Sequence, residues 1–259
     1  MKYFDKLKRL GIHSKNKLSI GYKGRSKFLI KEYVIREGRE KEDLLKVKCE
    51  ILGYKNLSTT LNLPKIFKAD YNKRLLITEF VDFKNITLSK SNLDKILKFY
   101  LNIRRINAKF LPKVDYGYYK KSLYLRAKEL EKEKIIKDIQ KEFSQFEKNK
   151  TLINKSAKNF SHGDLHLGNI KYSGKKLTLL DLEHSRRDNL MYDLATLYVD
   201  IYNNPLSSYF LKQIGKIKGF DKKLFLMMID RRCIEVLYAL KQHNSSQNYK
   251  NARALINTS

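Results

Sequence analysis

The sequence predicts an α+β chain in two lobes, a small antiparallel sheet with one helix followed by a larger, mainly helical lobe. Three observations carry this. The first third alternates apolar and polar residues around glycines, as short strands and tight turns do. Beyond Asp82 the apolar spacing changes to that of helices. One β-like hairpin, N-I-K-Y-S-G-K-K-L-T-L-L-D-L-E, interrupts the helical part. The expected division is a first lobe over residues 1–82 and a second over 83–259.

Along the chain, residues 1–10 place Tyr3, Phe4, Leu7 and Leu10 on one helical face, with Gly11 as C-cap. The stretch K-L-S-I-G-Y-K-G-R-S-K-F-L-I-K-E-Y-V-I-R-E-G then reads as three strands. A helix follows over residues 39–54, carrying Leu44, Leu45, Val47, Ile51 and Leu52. Residues 63–70 and 75–81 form a strand pair turning at Asn72-Lys73. Farther on, Ser91 and Asp94 suggest a capping box before Leu93, Ile96, Leu97, Tyr100 and Ile103. Residues 123–148, with interleaved Glu and Lys, read as a solvated helical face. The last helix is expected over residues 221–240.

Composition narrows the class. With 42% hydrophobic and 32% charged residues, 3 Pro and 11 Gly, the chain folds rather than staying disordered. Cys49 and Cys233 lie far apart without metal-ligand spacing, which argues against a disulfide framework or zinc site. The first eleven residues lack the apolar core of a signal peptide, and no apolar run reaches membrane-spanning length, so a cytoplasmic protein is expected. Formal charge is +28, from 55 Lys and Arg against 27 Asp and Glu. Such a field attracts polyanions, RNA or an anionic glycolipid among them; codon bias in an AT-rich genome is the competing account.

The hairpin turns at Ser173-Gly174, so its open ends lie together. His162, Asp164 and Asn169 precede its first strand, and Asp181 and Glu183 end its second. Phosphoryl transfer from ATP needs a carboxylate to orient the attacking hydroxyl and oxygen ligands for Mg²⁺. Asp164 suits the first role; Asn169, five positions on, and Asp181, twelve beyond it, suit the second.

The order H-G-D-L-H-L-G-N-I, then L-L-D-L-E-H-S-R-R-D-N-L-M-Y-D-L-A, resembles the aminoglycoside phosphotransferase and choline kinase superfamily, relatives of the protein kinases. The clear match covers about a seventh of the chain. The resemblance implies a protein-kinase-like fold, ATP as co-substrate, Asp164 as catalytic Asp, Asn169 and Asp181 on Mg²⁺, and Asp193 buttressing the catalytic loop from a helix. His162 reads as structural; His166 either contacts substrate or caps the loop; Glu183 either helps the metal or lines the site.

Upstream, Gly24 and Ser26 resemble the family's phosphate-covering turn, and Arg36 in Y-V-I-R fits the cation expected on the third strand, with Lys31 as competitor. For that cation's acidic partner, alignment on C-E-I-L puts Lys48 at the usual place, with Glu50 two residues on. The run L-L-I-T-E-F-V-D resembles the interlobe hinge, where backbone groups of Glu79 to Val81 meet adenine.

The expected function is a kinase transferring the γ-phosphate of Mg-ATP to a hydroxyl, on a small molecule or an anionic acceptor. The alternative is an atypical, Rio-like kinase acting on RNA, protein or glycolipid. A catalytically silent nucleotide-binding module, or a nucleic-acid binder without enzymology, would leave the acidic residues unexplained.

Overall fold

The computed structural model describes residues 4–13, 16–114, 116–137, 140–243 and 245–256. The chain forms two compact units, residues 1–86 with 168–185, and residues 87–167 with 186–259. The hairpin, although it lies within 83–259, groups with the first unit.

In the first unit, β1 (Lys6–His13), β2 (Asn16–Lys23), β3 (Ser26–Glu32), β4 (Ile66–Asp70) and β5 (Leu75–Glu79) form a sheet of order β1-β2-β3-β5-β4, and α1 (Glu40–Leu57) follows β3 in the chain. Every neighbouring pair is antiparallel. Strand β6 (Lys84–Asn85) pairs with β8 (Ile170–Ser173), which pairs in turn with β9 (Lys176–Leu179), in a second small sheet.

Two expectations fail here. Residues 6–13 are a strand rather than a helix, with Gly11 at an irregularity inside it; Tyr3 lies outside the described residues. Leu7 and Leu10 are 43% and 49% exposed, so the helical face read from them has no core to cover, whereas pairing with β2 satisfies the backbone. Accordingly, the stretch after Lys17 supplies two strands instead of three, and β3 ends at Glu32.

Helix α1 shows why its residues fold as they do. Glu40, Glu42 and Asp43 occupy its first turn and Lys55 its last, in line with the helix dipole. Val47, Glu50, Ile51 and Tyr54, spaced by three and four, form its buried face.

The second unit holds α2 (Lys90–Ile103), α3 (Tyr116–Lys132), α4 (Gln140–Lys148), α5 (Lys150–Ser156), β7 (Asn159–Ser161), β10 (Arg186–Asp188), α6 (Leu190–Ile201), α7 (Ser207–Ile214), α8 (Lys222–Leu240) and α9 (Gln247–Ile256). Strands β7 and β10 pair antiparallel. The cap of α2 is Ser89, whose hydroxyl accepts from the Asn92 N–H, rather than Ser91. Helix α8 starts at its expected place, Asp221 accepting from the Leu224 N–H. Helix α6 is apolar around most of its surface and correspondingly buried from Met191 to Val199. Cys49 and Cys233 are both buried and unbridged. Among the described residues, no helix is long and apolar enough to cross a membrane.

Candidate active site

In the first unit, β3 ends by carrying Lys31 into a ring of carboxylates. Its ammonium lies 2.7 Å from Glu50 Oε2, 2.9 Å from Asp181 Oδ1 and 3.9 Å from Glu183 Oε2, and 5.2 Å from the Tyr33 ring centroid. Burial alone would lower its pKa, but Glu50, Asp181 and Glu183 together hold it well above that of an ordinary lysine. Burial pushes the Glu50 carboxyl upward, Lys31 pulling against it. Glu183 is held down to about 2 despite burial, by His184, Lys31 and Lys46.

Asp181 follows β9 with a left-handed backbone, φ +61°, that aspartate tolerates better than most residues. At the same end of the hairpin, the Leu180 N–H donates to the Asn169 carbonyl at 2.8 Å, closing the register behind both residues. Oxygen atoms of Glu50, Asp181 and Glu183 all lie within 4.8 Å of one another. Such hard oxygen donors suit Mg²⁺, and Asp181 is the most open of the three, 41% exposed against 3% for Glu50 and 17% for Glu183.

Several predicted residues stand elsewhere. Arg36 lies beyond the end of β3; its Nε donates to Asp43 Oδ2 at 2.8 Å and its Nη2 pairs with Asp43 Oδ1. Lys48 is exposed on α1, while Glu50 shares the buried face with Val47 and Tyr54. Gly24 and Ser26 sit at the β2–β3 turn, at the opposite end of β3 from Lys31, five residues and roughly 17 Å along the strand. There the Gly24 N–H donates to Asp5 Oδ2 at 2.8 Å. The turn at the Lys31 end is that between β1 and β2, and residues 14–15 within it lie outside the described residues. In the run 79–81, the Glu79 N–H donates to the Lys65 carbonyl and the Phe80 N–H to the Lys27 carbonyl, so neither is open to a ligand. Val81 directly follows them.

In the second unit, the loop between β7 and Leu167 is fixed by carboxylates of α6. Asp193, fully buried, accepts the His162 N–H at 2.7 Å, the Gly163 N–H at 2.9 Å and the Tyr100 hydroxyl at 3.0 Å. Gly163 has φ +79°, a conformation suited to glycine. The Asp164 N–H donates to His162 Nδ1 at 3.3 Å, and the Leu167 N–H to Asp200 Oδ2 at 2.8 Å. Asp164 itself remains 24% exposed; Arg232 Nη2 on α8 donates to its Oδ1 at 2.7 Å, and His166 Nε2 lies 3.6 Å from its Oδ2. Burial lowers the His166 pKa, but Asp164 and Asp200 outweigh it and the net direction is up.

Sequence reasoning missed three residues here. Asp200 was discoverable, because seven residues after Asp193 it returns to the same face of α6. Asn16, which opens β2, reaches Glu183 Oε2 at 3.5 Å, and no pattern marked it. Arg232, in the D-R-R of α8, went unremarked because the helix was read for its apolar face alone.

The model of the phosphotransferase enzyme family (APH) matches residues 18–222, most of the chain. The chain belongs to this family. It is thus a phosphotransferase. Among solved structures, it resembles the choline kinase LicA from Streptococcus pneumoniae at 18% identity and TM-score 0.67, covering 98% of this chain and 94% of that one. It also resembles a thermostable mutant of aminoglycoside phosphotransferase APH(4)-Ia, in a ternary complex with ADP and hygromycin B, at 10% identity, TM-score 0.63 and coverage of 98% and 92%. A third likeness is to the GDP and kanamycin complex of APH(2")-IIia, at 11% identity, TM-score 0.60 and coverage of 98% and 93%. At these identities the structures establish the kinase-like fold, as the sequence predicted. No curated protein matches the sequence.

Proposed function

We propose that this phosphotransferase moves the γ-phosphate of Mg-ATP onto the hydroxyl of a small molecule. The observation that carries the proposal is the Lys31 ammonium held by Glu50 and Asp181 at 2.7 and 2.9 Å. Lysine is a mobile point charge suited to phosphate, and Glu50 keeps it extended at the end of β3. On this reading Lys31 leaves Asp181 for the nucleotide's phosphates, while Asp181 and Asn169 would hold Mg²⁺, which neutralises charge developing on the phosphates. Glu183 steadies Lys31 at longer range, and Val81 is the proposed adenine contact. The solved relatives bound to ADP, AMP or GDP favour a nucleotide co-substrate, and with ATP as that co-substrate the reaction belongs to the cytoplasm.

Asp164 orients the acceptor hydroxyl, and Asp193 and Asp200 hold its loop. Transfer then depends on positioning and charge neutralisation. In this reading the first unit takes the nucleotide and the second the acceptor. Asp164 is itself paired with Arg232, and Glu235 behind it with Arg231 and Arg232. A polycationic acceptor would find little surplus negative charge there, so we favour a neutral or anionic small hydroxyl compound.

The test is a labelled-ATP screen of small hydroxyl compounds, choline and kanamycin included, with Asp164→Ala and Asp181→Asn as controls. Asparagine tolerates the left-handed backbone at 181, so that variant keeps the turn. Both variants are expected to lose transfer by at least about a hundredfold while keeping the wild-type melting temperature within a few degrees. Turnover retained in both would refute the assignment.

A further inference from the structure

We infer that Arg232 is a positioning residue for Asp164, fixing the orientation of its carboxylate toward the acceptor hydroxyl; this rests on the reading of Asp164 as the acceptor-facing residue. The hydrogen bonds from His162, Gly163 and Leu167 fix the loop's backbone. They act on the backbone and not on the Asp164 carboxylate. Arg232 acts on the carboxylate itself, Nη2 lying 2.7 Å from Oδ1.

The guanidinium is anchored from behind. Its Nη1 lies 3.9 Å from Glu235 Oε2, and Glu235 is held by the Tyr192 hydroxyl at 2.5 Å and by Arg231 Nε at 3.1 Å. Arg231, buried on the same helix, stacks with its guanidinium carbon 3.9 Å from the Tyr192 ring centroid. The run Tyr192–Glu235–Arg232–Asp164 thus ties the half-buried carboxylate to the packed helices α6 and α8. Arg232 takes Oδ1 at 2.7 Å and His166 Nε2 stands 3.6 Å from Oδ2, so contacts on both oxygens set the plane of the carboxylate.

Arg232 Nε is buried and makes no hydrogen bond among the described residues.

The experiment measures Mg-ATP hydrolysis with water as acceptor in the full chain. It compares wild type, Arg232→Lys, Arg232→Ala, Asp164→Ala and the Arg232→Ala/Asp164→Ala double variant. Lysine keeps the charge and loses the planar fork, so Arg232→Lys should lower kcat about 10–100-fold, as small misplacements of a reacting group do, with KM for Mg-ATP within about threefold. Millimolar guanidinium ion should restore part of the Arg232→Ala loss and none in the double variant, whose rate should equal that of Asp164→Ala alone. Wild-type rates in both Arg232 variants beside a silent Asp164→Ala would overturn the inference and leave the reading of Asp164 intact. Wild-type rates in Asp164→Ala would overturn that reading itself. Failure of both Arg232 variants to fold, or additive losses without rescue, would make Arg232 a structural residue and also overturn the inference.

Discussion

Lys31 and Arg36 are five residues apart and chemically alike in the sequence, yet their surroundings differ completely. Arg36 is committed to Asp43, an aspartate held down to about 2 by that guanidinium, whereas Lys31 meets three carboxylates from distant parts of the first unit. Arg36→Ala should therefore leave the KM for Mg-ATP within about threefold and lower stability by about 1–3 kcal/mol, the cost of leaving Asp43 without its charged partner. Steady-state kinetics and thermal unfolding check the two halves separately. The sequence could not separate the residues because a strand's last residue is the least legible part of it. Y-V-I-R alternates as well as F-L-I-K, and only pairing with β5, which ends at Glu32, shows that the strand stops before Arg36.

At the scale of elements, α1 and the short turn after β9 are held in close register by a glycine. A Cβ on Gly53 would fall 2.8 Å from Leu182 Cδ1 and 3.2 Å from its Cβ, with Leu182 itself fully buried between Asp181 and Glu183. Gly53→Ala is expected to destabilise the protein by about 1–3 kcal/mol, as overpacking does, and to weaken Mg-ADP binding by displacing Asp181. Adding Leu182→Ala should recover part of both losses, read by thermal unfolding and calorimetry. Most elements were legible from periodicity. The α8 helix and the 170–179 hairpin are strong patterns with clear ends, at Asp221 and at Gly174 with φ +59°. Glu50 was also within reach, since three residues after Val47 it shares the buried stripe; its identity as Lys31's partner was hidden by an alignment that favoured Lys48. Strand β1 was not legible, because four apolar residues at spacing three to four mimic a helix and the partner strand that decides the matter begins only at Asn16.

For the molecule as a whole, ionisation links the buried network of the second unit to stability. Glu235 is held down to about 2, below its usual 4.5, because Arg231, Arg186 and Arg232 outweigh burial. A depressed carboxylate pKa contributes stability that is complete above the unfolded value and is lost as pH falls through the folded one. The contribution, of order 3 kcal/mol, should therefore fade between about pH 4.5 and about pH 2. In thermal unfolding, the stability gap between wild type and Glu235→Gln should close over that interval and stay constant from pH 5 to 7. The net charge of +28 bears on partners rather than on fold. With a small acceptor, turnover should change less than about threefold between 50 and 200 mM salt, against the steep loss expected of a polyanionic acceptor.

The most direct test of the account is a calorimetric titration of Mg-ADP into wild type, Lys31→Met and Arg36→Met. If Lys31 is the residue that meets the nucleotide's phosphates, its loss weakens binding at least about tenfold, the worth of a charge-assisted hydrogen bond, while Arg36→Met stays within about threefold. Equal weakening in both variants, or undiminished binding in Lys31→Met, would contradict it.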